Sequence, residues 1–499
     1  MRLRTLIRQA YPELGAEAAR LPDAVASGVT QDVAKVLPGH VFVARVGARV
    51  DGHTFVARAV AAGAVLVAGA RSHPPDADLA GVPYLVVPDD RAAAARLAAA
   101  FHGHPSRRLR VLGVTGTDGK TTTSALLWWL LQGFAPTALA STAMVRLGIS
   151  RGAPVGHFTT PEADEVQAFL ASAVNSGATR VVLESSSHGL AQARLDEIDY
   201  AAAVWTNLSP EHLDFHGDLA AYRDAKLALI RRAPLAVLNR DDAEFERFAA
   251  AAPSHVSFGL DSRADWRLLR LDDIPAGLEF CVGAPDGREY SARLPVPGRF
   301  NAWNALAALS AAALEGADVA EAGARLASFP GVPGRMQAIQ AEPFAVVVDF
   351  AHTAPALAKA LAAATPAGGR RIVVIGAAGE RDPGKRAPLG AAAVAGADLT
   401  IFTEEDSRSE DPGAILEELA AGARDAGAVE GSSFVRVPDR REAILEAIGR
   451  ARPGDIVLLC GKGHETTLER AGETLAWDEA LEARTALARL HGGEPGPLG

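Results

Sequence analysis

Short apolar, often β-branched runs alternate with alanine-rich stretches along nearly the whole chain. This alternation predicts an α/β protein with largely parallel sheets. Strands are expected at 41–44, 65–68 and 84–87, followed by a helix over 91–101. The polar, proline-bearing stretch 104–108 reads as a linker. A strand at 109–114 then runs into a glycine loop, and punctuation becomes dense again at 329–334. Further strands are expected at 345–350, 371–375, 399–403, 434–437 and 456–460, with helices between. At ~100–200 residues per domain, 499 residues make about three domains. The breaks divide them as 1–107, 108–332 and 333–499. No internal repeat is visible, and the Gly-Pro-rich tail after Leu490 is expected to fray.

Composition excludes several classes. A net charge of −10 argues against nonspecific nucleic-acid binding, which needs a basic field. The N-terminal residues carry Arg2, Arg4 and Arg8 without an apolar core, so no signal peptide is expected. No apolar run approaches the ~18 residues of a membrane span; the longest, 59–70, reads as a helix end followed by a buried strand. Two cysteines, Cys281 and Cys460, cannot build a disulfide framework and suit a reducing cytoplasm. The basic residues are lopsided, with 44 arginines and six lysines. Coding bias accounts for the excess arginine, so positions that chemically need an ammonium stand out.

Lys120 is one of them. Val114-Thr115-Gly116-Thr117-Asp118-Gly119-Lys120-Thr121-Thr122 joins a strand to a helix through glycines. Backbone N–H groups and the helix N-terminus of such a turn cradle phosphates. Lys120 would reach the β- and γ-phosphates, and Thr121 would ligate Mg²⁺. Val114 occupies the first glycine position of the usual motif, and the bland alternative is a chance glycine turn.

Two more strand ends belong with it. The strand 180–183 ends in Glu184, followed by Ser185-Ser186-Ser187-His188. The strand 201–205 leads to Thr206-Asn207-Leu208 and then His212-Leu213-Asp214. Ligands collect at strand C-terminal ends in open parallel sheets, so Glu184 and His212 fall where a phosphate-bound metal would sit. Taken singly, each is as well read as a solvated polar residue. Lys226, on a helix around 222–232, would be drawn to phosphate but repelled by a metal. Its chemistry leaves phosphate pairing and surface snorkelling both open.

Together these segments resemble the Mur ligase family. Tyr222-x-x-Ala225-Lys226, Gly298-Arg299-Phe300-Asn301-Ala302-Trp303-Asn304, Gly334-Arg335-Met336 and Asp349-Phe350-Ala351-His352-Thr353 carry the resemblance further, over almost the whole chain. It implies three domains: a UDP-substrate-binding α/β domain, a central P-loop ATPase domain and a C-terminal Rossmann-like domain. The order of motifs is most similar to the branch that adds the third residue, a diamino acid, to UDP-MurNAc-L-Ala-D-Glu. Another Mur-type ligase, a folylpolyglutamate synthetase and a non-catalytic nucleotide-binding paralogue are the alternatives. A paralogue of that last kind would be expected to have lost Lys120, Glu184, His212 or Lys226, and all four are present.

The resemblance assigns roles. ATP, held by Gly116, Thr117, Asp118, Gly119, Lys120, Thr121 and Thr122, would phosphorylate the D-glutamyl carboxylate. The diamino acid's amino group would then displace phosphate. Mg²⁺ would be held by Thr121, Glu184, His212 and Lys226, the last as a CO₂-derived carbamate, which removes the conflict between ammonium and metal. Asn301 and Asn304 would meet adenine, with helix capping as the bland alternative. Arg335, Asp349 and His352 would reach the nucleotide from the third domain. Thr159, Thr160, Ser186, Gln192 and Arg194 would hold the UDP-substrate, although Thr160-Pro161 also reads as a helix start. Where the family carries Asp-Ser-Arg in the first domain, this chain has Asp32-Val33-Ala34, which puts its UDP contacts in question. The expected enzyme is a cytoplasmic monomer with no nucleic acid and no membrane insertion.

Selectivity for the amino acid falls to the third domain. Arg381 would take the α-carboxylate. Glu405-Asp406-Ser407-Arg408 occupies the place of the family's Asp-Asn-Pro-Arg, with Gly461 and Glu465 nearby. Arg408 favours the distal carboxylate of meso-diaminopimelate. Glu405 and Asp406 leave lysine or ornithine open, because extra negative charge suits a distal ammonium.

Overall fold

A computed structural model of the chain describes residues 1–47, 50–72, 79–148, 150–151, 160–274 and 277–490. Strands β1 (Gly28–Thr30), β2 (His40–Ala44), β3 (Leu66–Gly69) and β4 (Tyr84–Val86) pair in that order, all parallel. Alternate residues of β2 serve opposite faces. Val41 and Val43 pack with the helices Leu3–Ala10 and Asp90–Phe101, while Phe42 and Ala44 pack with Val56 and Ala59. With both faces covered, β3 is buried at every position and reads as a continuous apolar run.

The stretch read as a linker is more structured than expected. Pro105–Arg108 forms a 3₁₀ turn in which Pro105 and Ser106 are buried. The Ser106 hydroxyl donates to the Glu197 carbonyl at 3.3 Å and accepts from the Asp199 N–H at 3.3 Å. The sequence showed its polarity but not these distant partners.

The central sheet is built on β5 (Arg110–Thr115), β6 (Thr137–Ala140), β9 (Arg180–Glu184), β10 (Tyr200–Trp205), β11 (Ala236–Asn239) and β12 (His255–Gly259). They run parallel in the spatial order β12-β11-β10-β5-β9-β6. The short strands β7 (Val145–Leu147) and β8 (Ser150–Arg151) extend the β6 edge antiparallel. From β5 the chain crosses to β6 on one side and later, through β9, to β10 on the other. The C-terminal ends of β9, β5 and β10 therefore lie side by side at the reversal of strand order, where α/β sheets bind ligands. At the opposite end of the sheet, buried Glu315 accepts from Arg110 at 2.6 and 2.7 Å and from Arg180 at 3.2 Å.

Next in the chain come β13 (Trp266–Ile274), β14 (Gly277–Gly283) and β15 (Glu289–Leu294), the last two paired antiparallel. A six-stranded sheet follows in the order β16-β17-β21-β18-β19-β20, with β16 (Gln337–Gln340), β17 (Ala345–Asp349), β18 (Arg371–Ile375), β19 (Leu399–Phe402), β20 (Phe434–Arg436) and β21 (Ile456–Cys460). All pairs are parallel except β16 with β17. The observed strands overlap each of those expected for this region. The chain resolves into two compact units: residues 1–267 with 307–318, and 268–306 with 319–499. The first unit holds both the four-stranded sheet and the central one. The helix Ala163–Asn175 helps join them, since Ala163 lies in the apolar cluster beneath the four-stranded sheet.

One buried acid in that helix makes stability depend on pH. Burial pushes Asp164 up to about 6, with Glu165 and Glu162 adding to it and the Thr30 hydroxyl opposing it. Its Oδ1 has no hydrogen-bond partner among the described residues. The folded pKa exceeds the unfolded one. Asp164 therefore favours the fold below about pH 4, and that favour is lost as pH rises through about 6. Asp164→Asn is expected to change little at pH 4. At pH 8 it should stabilise by roughly 1–3 kcal/mol, read as the urea midpoint at both values. A gain of equal size at pH 4 would refute the assignment.

Candidate active site

The loop after β5 turns on two glycines. Gly116 has φ +150°, and a Cβ there would lie 1.9 Å from Thr206 Oγ1. Gly119, at φ +82°, precedes the helix Lys120–Gln132. With no side chain at Gly116, the loop passes directly against the end of β10, which then holds it. Thr117 N–H donates to the Asn207 carbonyl at 2.9 Å, and Asp118 N–H to Asn207 Oδ1 at 2.9 Å. Thr206 Oγ1 donates to the Asp118 carbonyl at 2.6 Å. Lys120 Nζ folds back onto the Thr117 carbonyl at 2.7 Å. Thr122 is buried within the first turn of the helix.

Glu184 ends β9 next to this loop and is 1% exposed. Thr121 Oγ1 donates to its Oε1 at 2.9 Å. Its Oε2 accepts from Thr142 N–H at 2.8 Å and from Thr142 Oγ1 at 3.1 Å. Thr142 escaped the sequence reading, because nothing marks a threonine in a turn as a carboxylate's partner. The Thr121–Glu184 pair has the hydroxyl and carboxylate chemistry that Mg²⁺ takes.

Lys226 lies beneath the loop on the helix Leu219–Arg232. It is 1% exposed, donates to the Gly116 carbonyl at 2.5 Å, and its Nζ lies 4.3 Å from the Tyr222 ring centroid. Burial first, then the charge of Lys120, hold its pKa well below the ordinary lysine value. Surface snorkelling is thereby removed as a reading. Tyr222, one helical turn earlier, meets Thr117 Oγ1 through its hydroxyl at 3.1 Å.

His212 stands apart from Thr121 and Glu184 in its contacts. It has φ +56°, is half-exposed, and meets Glu211 Oε2 at 3.7 Å. Its ring is edge-on to His188 at 4.7 Å, and His216 accompanies them at 5.4 Å from His188. Burial, then the neighbouring His212 and His216, push His188 down to about 4. Among the described residues no three His, Cys, Asp or Glu side chains are grouped to hold a metal ion. The expected metal set is thus brought together only in part.

The residues expected for the UDP-substrate form one network beside Glu184. Thr160 Oγ1 accepts from Ser186 N–H at 2.9 Å, contacts Ser186 Oγ at 2.9 Å, and donates to the Glu184 carbonyl at 3.1 Å. Arg194 donates to the Thr160 carbonyl at 2.9 Å and to Gln192 Oε1 at 2.7 Å. Thr160 does not cap the helix that follows. Glu162 is the N-cap, in a reciprocal capping box with Glu165, because the chain stays extended through Pro161. Thr159 lies outside the described residues.

In the second unit, Asp349 ends β17. Its carboxylate accepts from the N–H groups of Met336 and Ala351 at 2.8 and 2.9 Å, and burial raises its pKa. Phe350 gathers its neighbours: the Arg335 guanidinium carbon lies 4.7 Å from the ring centroid and the His352 ring 4.7 Å away. Asn301 donates to the Pro297 carbonyl at 2.7 Å and Asn304 to Asn301 Oδ1 at 2.9 Å, both at the start of the helix Phe300–Leu314.

The expected amino-acid residues converge at the C-terminal ends of β19 and β21, with Arg381 on an exposed loop after β18. Lys462, fully buried, donates to Asp406 at 2.8 Å and Glu465 at 2.6 Å. Arg408 donates to Glu469 at 2.9 Å and to the Gly379 carbonyl at 2.7 Å. Glu405 is buried, which raises its pKa, and its Oε2 has no hydrogen-bond partner among the described residues. A Cβ on Gly461 would lie 2.9 Å from that oxygen. The sequence reading missed Arg440. Nothing in its local sequence marks it, yet it is fully buried and donates to Glu479, to the Glu404 carbonyl at 3.1 Å and to the Cys460 carbonyl at 2.7 Å.

Comparison with known proteins identifies the family. The Mur ligase family catalytic domain matches residues 26–102, the Mur ligase middle domain 114–312, and the Mur ligase glutamate ligase domain 334–463. A UDP-N-acetylmuramyl-tripeptide synthetase of Deinococcus radiodurans is 50% identical over 475 residues, covering 93% of this chain and 95% of the relative. A UDP-N-acetylmuramoyl-L-alanyl-D-glutamate–2,6-diaminopimelate ligase of Streptomyces avermitilis is 39% identical, covering 94% of each chain. A solved structure of a ligase of that same name superposes with a TM-score of 0.69 at 32% identity, covering 98% of this chain and 100% of that one. The chain belongs to the Mur ligase family, with that family's three-domain α/β architecture.

Proposed function

We propose that this ATP-dependent ligase of peptidoglycan precursor synthesis joins a diamino acid to the D-glutamyl carboxylate of UDP-MurNAc-L-Ala-D-Glu through an acyl phosphate. One observation carries the reading. Glu184 serves two networks at once: its carboxylate accepts from Thr121 of the phosphate loop, and its carbonyl accepts from Thr160 of the substrate set. A nucleotide and a carboxylate acceptor would therefore meet at one strand end.

The substrate carboxylate attacks the γ-phosphorus, the bond to the bridging oxygen breaks, and ADP leaves. The amine nitrogen then adds to the acyl carbon, phosphate departs, and the amine loses a proton. Positioning and charge neutralisation dominate such a transfer. The loop N–H groups and Lys120 hold the phosphates. Thr121, Glu184 and His212 are the residues that would hold Mg²⁺, which supplies charge neutralisation at the phosphates when bound. Lys226 would serve as a carbamate: a buried amine held below its ordinary pKa is the neutral form that adds CO₂. Family resemblance would give Asn301 and Asn304 the adenine, and Arg335, Asp349 and His352 roles toward the remaining nucleotide. Functional boundaries near 107 and 332 fit these roles. The reading carries with it a cytoplasmic monomer. No described helix is long and apolar enough to cross a membrane, and Cys281 and Cys460 are free thiols.

Arg381 would take the amino acid's α-carboxylate. The distal end has two readings. Arg408 favours meso-diaminopimelate, and relatives at 38–39% identity are 2,6-diaminopimelate ligases. The orphaned Oε2 of Glu405, with Arg408 already engaged by Glu469, favours the distal ammonium of ornithine or lysine. Phosphate release with UDP-MurNAc-L-Ala-D-Glu, ATP and each diamino acid tests both levels. Release that requires the nucleotide-sugar dipeptide and a diamino acid is expected. No release with any of the three sinks the ligase reading, and the preferred amino acid decides between the two distal readings.

A further inference from the structure

We propose that Arg45 binds the diphosphate of the nucleotide-sugar substrate, supplying the cationic contact this chain lacks at Val33 and Ala34. The inference rests on the ligase reading above. Val33 and Ala34 sit in the short 3₁₀ turn Val33–Lys35, which Asp32 caps through the Ala34 N–H at 2.9 Å. Neither side chain there has a polar atom to offer. Arg45 follows β2 directly, at the C-terminal end of a parallel strand, where ligands collect.

Its surroundings leave it short of partners. The side chain is only 18% exposed. Among the described residues its polar contacts are two long ones from Nη1, at 3.4 Å to Gln31 Oε1 and 3.4 Å to Glu162 Oε2. A guanidinium has five N–H donors in a rigid fork, so most of its capacity is unused in a site that has largely excluded water. Glu162 is already engaged. It meets Arg194 at 3.0 Å, accepts from Gln31, and caps the helix Ala163–Asn175. One carboxylate thus stands between two guanidiniums, and the charge of Arg45 is felt at Arg194. The nearby Glu165 also acts on Arg194 but is shared with Lys35 at 2.6 Å.

An anion with several oxygens, approaching Arg45 at a helix start, would engage its fork, with the charge of Arg194 close by. Arg45 is contributed by the four-stranded sheet and Arg194 by the central one. That places the anion between the nucleoside, expected at the first sheet, and the peptide, expected near Glu184. The diphosphate is the anionic group with that position in the substrate.

The test is calorimetric titration of UDP and of uridine into the full chain, as wild type, Arg45→Gln and Arg45→Lys, with steady-state kinetics alongside. Arg45→Gln should weaken UDP about tenfold or more and leave uridine unchanged. The KM for UDP-MurNAc-L-Ala-D-Glu should rise by a similar factor, with kcat and the KM for ATP held, and Arg45→Lys should recover part of the loss. Unchanged UDP affinity in Arg45→Gln overturns the proposal. So does an equal loss for uridine, which marks a structural role. A wild type that binds UDP in an Arg45-dependent way but releases no phosphate would refute the ligase reading and leave the anion assignment standing.

Discussion

Lys226→Ala is expected to lower ATP-dependent phosphate release at least ~1,000-fold, equivalent to about 4 kcal/mol of transition-state stabilisation. The side chain is buried under the glycine loop after β5, bonded to the Gly116 carbonyl at 2.5 Å. A charged ammonium in that place is poorly solvated, and burial favours the neutral amine. A neutral amine can take up CO₂ and become an anion, which an arginine in its place could not do stably. Small carboxylates such as formate or acetate should restore part of the activity of Lys226→Ala. A carbamate resonance from ¹³C-labelled bicarbonate should be present in the wild type and missing from the variant. The substitution also removes packing against Tyr222, so the melting temperature is measured in parallel. Near-normal turnover in a folded Lys226→Ala protein rules the carbamate out.

Gly116→Ala should be almost as damaging, for a geometric reason. The new Cβ would lie 1.9 Å from Thr206 Oγ1, and φ is +150°, a region L-residues rarely adopt. Thr206 cannot simply withdraw, because its hydroxyl donates to the Asp118 carbonyl at 2.6 Å. Moving it would release Asp118 and, through Asn207, the loop's outer face. Overpacking and backbone strain of this kind each cost roughly 1–3 kcal/mol. The loop N–H groups would also leave their converging arrangement. A loss of ~100-fold or more in kcat/KM for ATP is expected, on the scale of two hydrogen bonds to a charged phosphate. Adding Thr206→Ala should recover some stability by clearing the clash but not the activity, since the φ penalty and the lost Asp118 contact remain. Wild-type ATP kinetics in Gly116→Ala would show that the loop tolerates a side chain and that its glycine is incidental.

Much of the fold was legible because local pattern and tertiary role coincide. β3 is apolar at successive positions because both faces of a parallel sheet are covered, and such a run is visible in one dimension. The glycine loop after β5 is legible for a related reason: its glycines and its lysine lie within a few residues of one another. Arg440 is the opposite case. Nothing local marks it, and it is buried among partners 20 to 39 residues away in sequence. Thr142 is hidden in the same way, 42 residues from the carboxylate it serves.

Sequence alone determined the alternating α/β layers, the glycine loop after β5, and the family to which Glu184, His212 and Lys226 pointed. These depend on periodicity and on residue chemistry at fixed spacing, which the chain carries along its length. Only the tertiary structure decided that Thr121 and Glu184 are joined while His212 stands with His188. The same is true of Glu162, not Thr160, as the helix cap, of Lys226 as a buried group, and of Arg408 as already engaged by Glu469. Those outcomes turn on which distant strand ends meet and how much water remains between them. Burial and long-range pairing set charge state and availability, and neither is encoded in the identity of the residue itself.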